Sequence, residues 1–173
     1  MDEYREETDE KLEEKILSKI LSLLGIENID MTDFDNRLKY QKLIFLVQNS
    51  GLSLGYGYNW YVRGPYSPPL TQDLFEIEQN KEIFEKGKTL GLQDEEIIIS
   101  KIDGIKRLLG DNISDPIFLE VLASLIYIKK SSLKDDCGFL CDRLKTLKPR
   151  LKQTQNIEEI LGKACKMLPN FGA

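Results

Sequence analysis

The chain has no histidine among its 173 residues. That absence excludes a Ser-His-Asp triad, a Cys-His dyad and any histidine-ligated zinc or iron. The three cysteines, Cys137, Cys141 and Cys165, are too few for a four-ligand zinc site and an odd number for a disulfide framework. All three read as small apolar residues with reduced thiols, and neither a metal nor a cofactor is expected. Long apolar runs are missing too. Leu43–Val47 and Ile97–Ile99 fall far short of the ~20 residues of a bilayer span. The opening MDEYREETDEKLEEK has neither the basic nor the apolar part of a secretory signal. The expectation is a reduced, cytoplasmic protein with no membrane partner.

What is present describes an ordinary globule, with 41% hydrophobic and 31% charged residues. A chain this long forms one domain and buries about 70% of its unfolded surface without a metal or disulfide staple. The net charge of −5 is unevenly spread. Residues 1–35 carry 12 acids and 4 bases, and the remainder is slightly basic. An acidic head opposes indiscriminate coating of nucleic acid, because phosphate repels it.

Periodicity points to a mainly α protein. Leu12, Ile16, Leu17, Ile20, Leu21 and Leu24 recur at spacings of three and four, and Gly25 stops that helix. Residues 1–35 therefore read as an acidic N-terminal helix and linker, whose first ten residues fray, belonging to the same domain as 36–168. From Asn36 to Gln48 a helix is apolar on most sides and belongs at the centre. From Tyr56 to Val62 the period becomes two, with Tyr58, Trp60 and Val62 on one face. Gly64-Pro65-Tyr66-Ser67-Pro68-Pro69 is expected to end that strand, since proline cannot donate to a ladder. Ser67 then caps a helix over 70–79. Further helices are expected at 102–109, from Asp115-Pro116 through Ile128, at 133–147 and at 157–167. The segment 95–99 fits either a strand or a helix start. The fold class is a helical bundle of six or seven helices with one short strand or hairpin near 57–63.

Carboxylates are plentiful, yet no pair stands in an apolar setting that would raise a pKa and mark acid–base work. The chain is not expected to be an enzyme. Gly55-Tyr56-Gly57 lacks the rest of a nucleotide fingerprint and reads as a turn. The densest information lies in residues 37–78. Arg37-Leu38-Lys39-Tyr40-Gln41-Lys42-Leu43-Ile44-Phe45-Leu46-Val47-Gln48 is followed by Tyr58-Asn59-Trp60-Tyr61-Val62-Arg63-Gly64-Pro65-Tyr66-Ser67, then Leu70 and Leu74. This pattern resembles the SocA-like (Panacea) antitoxin-domain family, and more closely its YwgA-like members. They share a helix reading K-L-Q-K-L-x-Y-x-x-Q, then an aromatic strand ending in a Gly-Pro turn, then a leucine-patterned helix. Here Tyr40 stands where leucine is usual and Arg63 where an aromatic is common.

The resemblance implies a non-enzymatic protein-interaction module that binds and neutralises a partner protein such as a toxin. The residues at stake are Gln41, Lys42, Tyr58, Trp60, Tyr61, Arg63, Gly64, Pro65, Tyr66 and Ser67. On physical grounds, Gln41 and Lys42 interrupt an apolar helix and should bond to the turn or line a groove. Tyr, Trp and Arg concentrate binding energy at interfaces. Arg63, on the strand face opposite Trp60, is expected to be exposed. The alternative is a nucleic-acid-associated regulator. It would use Lys129, Lys130, Lys134, Arg143, Lys145, Lys148, Arg150 and Lys152, a net +5 over residues 129–152.

Overall fold

A computed structural model describes residues 11–172. The acidic first ten residues, expected to fray, lie outside the described residues. Within them the chain forms eight α-helices: α1 Leu12–Leu23, α2 Phe34–Asn49, α3 Pro68–Gln79, α4 Lys81–Lys88, α5 Glu95–Leu109, α6 Pro116–Ser131, α7 Cys137–Leu147 and α8 Ile157–Met167. Strands β1 (Asn59–Tyr61) and β2 (Gly64–Tyr66) pair antiparallel between α2 and α3, with Trp60 opposite Pro65. The mainly α class and the short hairpin stand as the periodicity implied. No helix among the described residues is long and apolar enough to cross a membrane.

The core is organised by two helices. In α2, Leu38, Tyr40 and every residue from Leu43 to Val47 are buried, because neighbours cover the helix on almost every side. Asp33 caps its start, accepting a hydrogen bond from the Asn36 amide at 3.0 Å. In α6 the run from Phe118 to Ile126 is wholly buried. Asp115 accepts from the amides of Ile117 and Phe118, and Pro116 takes the first helical position, where no N–H is needed. The two helices pack on each other; α6 also meets α7, α8 and β2, while α1 packs against α4. Each buried leucine removed from water contributes about 2 kcal/mol.

Several expectations change. The count is eight helices because Lys81–Lys88 forms its own short helix, seated by Ile83, Phe84 and Gly87. The ambiguous 95–99 segment is the first turn of a continuous α5. Helix α7 starts at Cys137 rather than Leu133, because Asp136 caps the Phe139 amide at 2.9 Å. Gly64-Pro65-Tyr66 does not terminate a strand; it is the second strand. Proline is tolerated there because a two-stranded hairpin has an outer edge on each strand. The turn therefore falls at Val62 and Arg63, and Val62 does not share the environment of Trp60 as the alternation implied, standing 78% exposed. The Ser67 hydroxyl makes no capping bond. Cys137 is exposed and disulfide-bonded to Cys165, tying α7 to α8, so the reading of reduced apolar cysteines holds only for the partly buried Cys141.

The carboxylate expectation also fails at one place. Burial raises Glu14 and Asp73 above the ordinary carboxylate range, with Glu76 adding like-charge repulsion to both. Tyr56 donates to Asp73 at 2.7 Å, and burial raises its hydroxyl pKa as well.

Candidate functional site

The hairpin is held from both sides. From α2, the buried Gln41 clasps the start of α3. Its Nε2 donates to the Ser67 carbonyl at 2.9 Å and to Thr71 Oγ1 at 2.8 Å, while its Oε1 accepts from the Ser67 amide at 2.9 Å. One residue on, Lys42 Nζ donates to the Pro65 carbonyl at 2.6 Å. The Tyr58 hydroxyl donates to the Gln41 carbonyl at 3.2 Å. Thus two polar residues on an apolar helix fix where the hairpin leaves the bundle.

From the other side comes Lys148, just after α7. Its ammonium donates to the Tyr61 carbonyl at 2.7 Å and to the Val62 carbonyl, and lies 4.5 Å from the centre of the Trp60 ring. Trp60 packs on Tyr127 of α6 at 5.6 Å between ring centres. Beside it, the fully buried carboxylate of Glu120 pairs with Arg150, and Arg63 Nη1 lies 3.8 Å from its Oε2. Gly64 presses against α6 with φ at +87°, and a Cβ there would come 2.4 Å from Ser124 Oγ. Only glycine fits both the conformation and the space.

This crowding of cations shifts their protonation. Burial, reinforced by the charges of Lys148 and Arg150, pushes the Lys42 ammonium down to about 7. Burial, then the charge of Arg63, lowers Lys148 to about 8. Burial and Arg63 likewise lower Arg150. Among the described residues, Ser67 Oγ, Ser124 Oγ and Glu120 Oε2 are buried without a hydrogen-bond partner.

On the outer side of this lattice a cleft of about 430 Å³ opens between α2, the hairpin and α3. Gln41, Lys42 and Gly64 line it, together with Tyr61, Tyr66, Arg37 and Arg63. Its rim carries Phe34, Val62 and Phe75, all of them exposed apolar side chains. Arg37 and Arg63 approach the Phe34 ring at 5.7 and 5.5 Å from its centre. Tyr61 and Tyr66 meet edge to face at 5.0 Å.

Of the ten residues singled out around the turn, the structure brings Gln41, Lys42, Tyr61, Arg63, Gly64 and Tyr66 to the cleft. Tyr58 and Trp60 face the other way, onto Phe45 and Tyr127, and Pro65 and Ser67 are buried supports. Arg63 is exposed, as expected, but already engaged with Glu120 and Phe34. Sequence reasoning missed Phe34, Phe75 and Glu120. A lone glutamate within the apolar run Pro116–Ile128 was the available sign for the last.

The basic segment divides. Lys145 pairs with Asp142 and Glu158, and Lys148 and Arg150 turn inward to the hairpin and Glu120. Lys134 lies over Phe139, while Lys130, Arg143 and Lys152 are exposed and Lys129 is partly covered. No family model, curated protein or solved structure matches this chain.

Proposed function

We propose that the protein is a non-enzymatic interaction module that binds a partner protein at the cleft beside the hairpin and silences it by stoichiometric occupation, in the manner of an antitoxin domain. One observation carries this reading: Phe34, Tyr61, Val62 and Phe75 stand 49%, 44%, 78% and 39% exposed around a single cleft. Four large apolar side chains left in water around one concavity, with arginines beside them, have the composition of an interface core. The helix Arg37–Gln48 and the Gly64-Pro65 turn that border the cleft are the segments that resemble the SocA-like and YwgA-like proteins, and that resemblance supports the antitoxin analogy. The antitoxin analogy implies the cytoplasm, whereas the Cys137–Cys165 disulfide is of a kind that persists in oxidising compartments. The nucleic-acid alternative has less support, since Lys145, Lys148 and Arg150 are engaged within the protein.

The test is co-purification from the native host with wild type and with Val62→Asp plus Phe75→Ala, followed by reconstitution from purified components. Val62 is 78% and Phe75 39% exposed, so thermal melts of wild type and the double variant are compared first, and loss of partner counts only where the variant stays folded at the binding temperature. Loss of a stoichiometric partner in the double variant supports the reading. A partner retained at full affinity refutes it.

A further inference from the structure

We infer that the cleft receives an acidic side chain of the partner, flanked by an aromatic or aliphatic residue, with its carboxylate seated on Lys42 and Arg37. The inference rests on the interaction-module reading and names the chemistry of its occupant.

Charge complementarity is the argument. Three cations line the cleft, Lys42, Arg37 and Arg63, and no aspartate or glutamate does. Arg63 has Glu120 behind it. Among the described residues neither Lys42 nor Arg37 forms an ion pair. Lys42 is 1% exposed and spends one N–H on the Pro65 carbonyl. An ammonium has three N–H donors, so two remain without an acceptor in a place water scarcely reaches. A buried charge without a counter-charge is costly, and an incoming carboxylate would relieve that cost while a neutral ligand would not. Most of the remaining wall is apolar or aromatic, with Phe34, Leu38, Tyr61, Val62, Tyr66 and Phe75, and its polar members Gln41 and Thr71 already bond to each other. A volume near 430 Å³ accommodates one or two side chains rather than a folded surface. An acid next to an apolar residue satisfies both halves of the cleft.

The experiment is an array of hexapeptides, acetylated and amidated so that only side chains carry charge, with each position scanned through all residue types. It is read with the purified full chain. Glutamate or aspartate beside phenylalanine, leucine or tryptophan should be enriched. For the best such peptide, glutamate to glutamine should weaken binding at least about tenfold. Lys42→Met should abolish most of that acid preference, and Arg37→Gln should reduce it several-fold. Should Lys42→Met not fold, Arg37→Gln decides alone, because Arg37 supports no buried bond. An array without acid preference, or a preference unchanged in Arg37→Gln, overturns the inference. So does saturation of the cleft by free 3-phenylpropionate when no capped peptide binds, since the occupant is then a small molecule. These failures are distinct from that of the interaction reading, which falls only if the partner ignores Val62→Asp and Phe75→Ala.

Discussion

Gly64→Ala isolates the tightest point of the molecule. The residue sits at φ +87°, where an L side chain meets its own backbone, at a cost of about 1–2 kcal/mol. The added methyl would also lie 2.4 Å from Ser124 Oγ, on a helix whose buried face cannot retreat. Overpacking of that kind costs about 1–3 kcal/mol. Together the substitution should destabilise by about 2–5 kcal/mol, or several degrees in Tm for a domain of this size. The two parts can be separated. Ser124→Ala removes the oxygen and leaves Cβ at 3.7 Å, an ordinary contact. Alone it should be neutral or slightly stabilising, because its hydroxyl is buried without a partner. In the double variant the clash disappears and only the backbone term remains. Urea denaturation of the four proteins gives the cycle directly. If Gly64→Ala unfolds like wild type, the turn geometry is wrong. If the double variant is no more stable than Gly64→Ala, Ser124 is not what the methyl meets.

Three further outcomes follow from the same lattice. Lys42 has its pKa lowered from the unfolded value of about 10.5 to about 7, so the unfolded chain binds more protons in between. Stability should therefore rise with pH across that window, by up to about 1.4 kcal/mol per pH unit from this group. Lys42→Met should flatten the slope between pH 7 and 8, where Lys148 contributes least; an unchanged slope would assign the effect elsewhere. Arg150→Ala, which strands the Glu120 carboxylate, should cost about 3–5 kcal/mol. Glu120→Gln should cost less, since Arg63 and Arg150 both reach solvent, and denaturation in the opposite order would refute the arrangement. Cys137→Ser should lose about 3–4 kcal/mol by opening a cross-link between residues 28 apart. A reducing agent should then lower the Tm of wild type but not of the variant.

How legible each part was depended on whether the determining contacts are local. Helix α2 declared itself because Leu38, Tyr40 and the run Leu43–Val47 place apolar residues on most of its sides, and Asp115-Pro116 announced α6 through cap chemistry that acts within three residues. Helix α4 did not, since only Ile83, Phe84 and Gly87 mark its buried face over eight residues. The general position of the hairpin was readable from alternating aromatics. Its register was not: Pro65 breaks a rule about donors, yet what holds it is a carbonyl accepting from Lys42, 23 residues away. The cleft was half legible. Gln41 and Lys42 stood out as polar residues on an apolar helix, and they do both jobs expected of them, bonding the turn and lining a groove. Phe34 and Phe75 look like ordinary core residues in sequence, and only the packing of α2 against α3 leaves them outside. Cys137 and Cys165 could not be paired from spacing, because their meeting depends on how α7 returns onto α8.

The burial of α6 on nearly every side has a consequence for synthesis. Its N-terminal partner, α2, leaves the ribosome well before it, but α7 and α8 follow it. At ~5–20 residues per second, the ~35 residues that complete the wrapping take about 2–7 s. For that interval an oily helix is exposed along the face that α7 and α8 will cover, a surface prone to aggregation. A message truncated after Ser131 should thus yield aggregate rather than a smaller folded protein, and slowing translation through α7 should lower soluble yield without changing the stability of the molecules that finish.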